Sequence, residues 1–103
     1  MPNNIAELLQ LQKEDPNDPF FIYALALEYE KENNLEKCFA QFEFLLNNHS
    51  DYAGTYLKYA QLLIEFGNEN LAKEIIAKGI VLAKNLNKTK MKNELSQLLE
   101  DIE

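Results

Sequence analysis

The sequence predicts an all-α fold of about six helices, folded back on one another as antiparallel hairpins. Three observations carry this. Apolar residues recur at spacings of three and four through successive segments, the signature of helices with one buried face. Pro16 and Pro19, which bracket an Asn-Asp pair, Gly67 and several Asn-rich pairs mark the boundaries of those segments as punctuation. No segment alternates apolar and polar residues with a period of two, so no sheet is expected.

The first helix is expected over 3–13, with Asn4 and Glu7 spaced as a capping box and Ile5, Leu8 and Leu9 on its apolar face. The second begins at Asp18-Pro19. Asp18 suits the N-cap, and Pro19 suits the first helical position, where a missing N–H is no loss. Between Phe20 and Tyr29 only Glu28 is polar, so this helix needs neighbours on more than one side. The third, 35–48, offers Leu35, Cys38, Phe39, Phe42, Leu45 and Leu46 to a core. The fourth, 52–66, is apolar on two sides through Tyr56, Tyr59, Ala60 and Leu63, and the fifth, 69–85, presents Ala72, Ile75, Ile76, Gly79 and Ile80. The sixth, 89–102, differs. Met91, Leu95, Leu98, Leu99 and Ile102 form one stripe with a polar back, as a terminal capping helix does.

Composition narrows the function. With 47% hydrophobic and 26% charged residues in 103, the chain is globular and sized for a single domain, 1–103. Ten Lys, no Arg and seventeen acids leave a net charge of −7, which argues against nucleic-acid and anionic-membrane partners. The excess is confined to residues 1–52, with three Lys against ten acids; residues 53–103 hold seven of each. No apolar stretch is long enough to span a bilayer. The start Met1-Pro2-Asn3-Asn4 has no basic segment leading into an apolar one, so a cytoplasmic address is the expectation.

Chemistry-bearing residues are sparse. One Cys and one His supply neither a disulfide framework nor a zinc set, so no metal and no cofactor is expected. Cys38 occupies a small apolar slot and reads as core. His49 lies in the turn-like run Asn47-Asn48-His49-Ser50-Asp51. Glu28, Glu30, Glu32 and Glu36 fit a solvated helix face. No nucleophile–base pair is visible, no catalytic residue can be named, and a non-enzyme is expected.

The segments repeat with a period of 34. Residues 19–52 align with 53–86 without a gap, placing Ala26 on Ala60, Asn33-Asn34 on Gly67-Asn68, Cys38 on Ala72 and Phe42 on Ile76. Small residues stand where two helices of a hairpin cross, and large ones (Ile22, Leu25 and Tyr29, then Tyr56, Tyr59 and Leu63) where hairpins wedge together. In this pattern the chain resembles the tetratricopeptide repeat (TPR) family. The helix 3–13 then reads as a preceding half-repeat closed by Pro16, and Gly79 stands where the family usually has alanine. The resemblance implies a short right-handed stack of helix hairpins with a C-terminal capping helix.

It also implies a protein or peptide partner. In that family the first helix of each pair lines a concave groove, which by position would present Phe20, Tyr23, Leu27 and Glu30, then Gly54, Leu57, Gln61 and Ile64. This row is apolar enough to hold an amphipathic helix or an extended peptide, or else to be covered by the helix 89–102 as core. Family members that clamp a terminal carboxylate place basic residues at positions that Lys58, Lys88 and Lys92 would occupy if the register continues. These lysines form a candidate basic corner, unless they serve only a helix C-terminus. Phe44, at a repeat position that usually faces solvent, points to the alternative of a self-associating structural protein, such as a homodimer.

Overall fold

The computed structural model describes residues 4–103, and Asn3, the expected start of the first helix, lies outside them. Six helices account for most of the described residues, and no strand occurs among them. They are α1 (Asn4–Glu14), α2 (Pro19–Lys31), α3 (Leu35–Asn48), α4 (Gly54–Glu65), α5 (Glu69–Asn85) and α6 (Thr89–Ile102).

Two starts differ from expectation. Asn4 is already helical, so the Asn4–Glu7 capping box is not what starts α1. Tyr52 stands outside α4: its N–H donates to the His49 carbonyl at 2.9 Å in a turn, and Ala53 precedes the helix without any capping side chain.

Local chemistry accounts for the other boundaries. The Asp18 carboxylate accepts from the Phe20 N–H at 2.9 Å, with Pro19 opening α2. Asn34 caps α3 by accepting from the Lys37 N–H, and Asn68 caps α5 by accepting from the Leu71 N–H, each at 3.2 Å. The same device thus recurs 34 positions on. Ahead of each cap the preceding helix ends in one motif. The Asn33 N–H donates to the Glu30 carbonyl and the Asn34 N–H to that of Tyr29; Gly67 and Asn68 repeat this with Ile64 and Leu63. These are the paired bonds of a Schellman ending, which needs a left-handed residue. Asn33 at φ 60° and Gly67 at φ 89° supply it. A third copy closes α5, with Asn87 at φ 57°.

The chain divides into two compact units, one running to Tyr52 and one comprising Ala53–Glu103. In the first, α2 packs on α3 and α1 packs on α2. Ile22, Leu25, Ala26, Cys38, Phe42 and Leu45 are fully buried there, while α1 buries no residue completely. The thiol of Cys38 is therefore enclosed in the core. In the second unit, α5 packs against both α4 and α6 around Tyr56, Tyr59, Ala60, Ala72, Ile75, Ile76 and Leu95. All four small residues expected at helix crossings, Ala26, Cys38, Ala60 and Ala72, are 0% exposed. The stripe on α6 is less enclosed than a clean capping face would be: Leu95 is buried, and Met91, Leu98, Leu99 and Ile102 are half-buried. Thr55 is fully buried, and its Oγ1 finds no hydrogen-bond partner among the described residues.

Gly79 sits at a close helix crossing in the second unit. A Cβ there would stand 2.7 Å from Leu95 Cδ1 and 2.8 Å from Tyr56 Cβ, closer than carbon atoms tolerate. Gly79→Ala should therefore be destabilising although alanine is the better helix former by about 1 kcal/mol. Overpacking of this kind costs about 1–3 kcal/mol. Thermal unfolding of the variant should show a melting temperature several degrees below wild type; an unchanged or raised value would mean that α4 and α6 yield freely at this crossing.

Candidate functional site

The second unit holds an open cleft of about 700 Å³ between α4 and α6. Because α4–α5 and α5–α6 are hairpins with three-residue turns, α4 and α6 run in the same direction and face each other over α5. Leu57 and Gln61 form the α4 wall. The opposite wall is α6, through Lys90, Glu94, Gln97 and Asp101. Leu57 is half-buried and Gln61 exposed, so α6 lies beside these residues without covering them. Ile64, also on α4, is half-buried and does not line the cleft.

The walls are mixed in character. Leu57 and Leu98 supply apolar surface, and Gln61, Asn93 and Gln97 supply neutral amides. Gln97 Nε2 donates to Asp101 Oδ1 at 3.0 Å, which orients both groups. No ion pair joins Lys90 to Glu94 one turn further along among the described residues.

Lys88 and Lys92 stand apart from this cleft. With Lys84 they border a separate hollow of about 210 Å³ at the α5–α6 turn. Lys88 occupies the N-cap of α6 without a capping bond, and its carbonyl accepts from the Lys92 N–H at 3.0 Å. Lys58 is half-buried on α4 and lines neither space. The lysine that reaches the cleft is Lys90, which the sequence reading had not singled out.

The other expected groove residues belong to the first unit, on α2. Phe20 is 54% exposed and rests edge-on against Phe21 at 5.8 Å. Leu27 is half-buried. Tyr23 is half-buried between two rings: Phe42, edge-on at 6.1 Å, and Tyr52, tilted at 5.6 Å. Burial raises the Tyr23 hydroxyl above the ordinary tyrosine pKa, and the nearby Glu30 carboxylate adds to this. Tyr52 is raised as well, first by burial and then by Tyr23 and Asp18. Phe44, on α3, is 45% exposed, with its ring 6.4 Å from that of His49.

Among the described residues no group of three or more His, Cys, Asp and Glu side chains could hold a metal ion. No helix of these residues is long and apolar enough to cross a membrane.

No family model matches the sequence, and neither does any curated protein. Among solved structures, the chain is similar to the crystal structure of a tetratricopeptide repeat domain protein from Salinibacter ruber. The two are 33% identical over 82% of this chain and 93% of that one, with a TM-score of 0.75.

The tyrosine pair makes stability depend on alkaline pH. A phenol whose pKa is raised by folding contributes stability that is complete below its unfolded value, near 10, and is lost as the pH rises through the folded value. Denaturation followed from pH 8 to pH 11.5 should show wild type losing stability above about pH 10. The variant Tyr23→Phe with Tyr52→Phe should lose less over the same interval. Parallel curves would show that neither hydroxyl is held neutral by its surroundings.

Proposed function

The chain belongs to the tetratricopeptide repeat family, and we propose that it is a non-catalytic protein-interaction module that takes a segment of its partner into the groove bordered by Leu57 and Gln61. Function resides in sites carried by a fold, so the family supports protein recognition in general and the cleft supports this location. The observation that carries the reading is the open cleft itself. At about 700 Å³ it falls within the size range of ligand sites, and it joins apolar surface to several neutral hydrogen-bonding side chains.

Panning a random peptide library against the full chain, then mapping a selected peptide by amide chemical shifts, tests the assignment. Perturbations should centre on Leu57, Gln61, Asn93 and Gln97. A footprint confined to α1 or to the outer side of α5 would place the binding surface elsewhere.

A second reading, self-association, is favoured by the exposed ring of Phe44. On this reading, sedimentation yields a dimer that Phe44→Ser converts to monomer. A wild-type monomer at high micromolar concentration removes it.

A further inference from the structure

We infer that copies of this chain join head to tail, the outer face of α1 in one docking on the α5–α6 turn of the next. The contact lies apart from the α4–α6 cleft and from Phe44, and does not rest on either being a binding site.

Charge is divided along the chain. Residues 1–52 hold three Lys against ten acids, whereas no acid occurs between Glu74 and Glu94, a stretch that holds five Lys. Of the three lysines in the first unit, Lys31 pairs with Glu28 at 3.1 Å and Lys37 lies over the Tyr29 ring at 5.7 Å. That leaves Lys13 to offset the acids of α1.

Within its unit α1 packs on α2, and it buries no residue completely. Glu7, Leu11 and Glu14 are spaced four and three apart, so they share one side of the helix. With Gln10 they border an open hollow of about 490 Å³. Gln10 Nε2 donates to Glu14 Oε1 at 3.3 Å, which leaves that carboxylate its charge. Leu11 is 41% exposed. This face is one leucine between two acids, the acids about 10 Å apart along the axis.

The α5–α6 turn is its opposite. Lys84, Lys88 and Lys92 border a hollow of about 210 Å³ there. Leu86, between Lys84 and Lys88 in the chain, is 43% exposed. No carboxylate among the described residues lies within ion-pair distance of these lysines.

Two of the charges stand where their own helices disfavour them. Glu14 ends α1 and Lys88 is the N-cap of α6, so each adds to a pole of its own sign. Setting Glu14 of one copy against Lys88 of the next relieves both. Glu7 then meets Lys84, and Leu86 enters the hollow against Leu11, with lysine stems covering the apolar surface. A free anion would answer the lysines and leave both leucines in water. The acidic, leucine-bearing face of a second copy answers both. The two faces differ, so the contact is heterologous and one copy can engage two neighbours.

Sedimentation velocity of the full chain tests this. In low salt the average sedimentation coefficient should rise with concentration. At about 0.5 M salt, where charges are screened beyond roughly 4 Å, it should return to the monomer value. Two double variants, Lys84→Glu with Lys88→Glu and Glu7→Lys with Glu14→Lys, should each associate roughly tenfold more weakly than wild type. Mixed in equal amounts they should associate again, because every face then meets one of opposite charge. All four positions are exposed, and circular dichroism and melting temperature verify that the variants fold. Phe44→Ser should leave the association unchanged, which separates this contact from one at Phe44. A wild-type monomer at high micromolar concentration in low salt overturns the inference. So does association that salt leaves intact, association lost in Phe44→Ser but kept in the charge variants, or a mixture of the two double variants that stays monomeric.

Discussion

The second unit is organised around a point where no side chain fits. At Gly79, α5 lies so close to Tyr56 of α4 and Leu95 of α6 that even a methyl group would meet both. Both neighbours are thereby held against one helix, and the space left between them is the cleft. Bulk at position 79 would push α4 and α6 outward together, so the separation of Leu57 and Gln61 from the α6 wall depends on an absence of atoms several residues away. Close approach at small residues is the rule in both units, with Ala26, Cys38, Ala60 and Ala72 fully buried. Packing at interior density lets such contacts set geometry to within fractions of an ångström.

Turn chemistry fixes the helix directions that make this packing achievable. Each of the three Schellman endings lies in a three-residue connection in which the chain reverses before the next helix begins. Asn33, Gly67 and Asn87 take the left-handed conformation that the ending demands, using Asn twice and Gly once, the residues that adopt it at least strain. The Asn that follows each of the first two turns then caps the next helix, so one short segment ends one helix and starts another. The α5–α6 turn has Lys88 in that place, with no side-chain acceptor for the helix it opens.

Much of this was legible in the sequence because it depends on residues that carry their constraints locally. The turn positions at Asn33 and Gly67, the cap Asp18, and the small crossing residues all follow from local chain chemistry or from size at a fixed interval. What depended on the fold as a whole was harder to read. Tyr52 continues the apolar period of α4, yet it closes a turn and packs on Tyr23 instead, a contact with a residue far away in the chain. Thr55 is polar in type and fully buried, and nothing in its neighbours along the chain announces that. Leu57 and Gln61 stand at repeat positions on α4 that the resemblance singled out, and both border the cleft. Lys90, Glu94 and Asp101 were not, because their orientation depends on where the last helix begins.

That starting point decides which charges the cleft presents. A strict 34-residue continuation would place residue 94 in the buried slot that Ala26 and Ala60 occupy in α2 and α4. The buried residue is Leu95, and Glu94 lies in the cleft. The third helix pair has no counterpart to hold it in step: α5 runs for 17 residues where α3 runs for 14, and the turn after it is shorter than the segment joining α3 to α4. One residue of slippage rotates a helix face by about 100°. That rotation separates a cleft bearing one lysine and two acids from the concentration of cations that an unbroken register would have promised. It leaves Lys88 and Lys92 beside Lys84 at the α5–α6 turn. Helix packing thus fixes where the cleft lies, and helix phase fixes which charges line it.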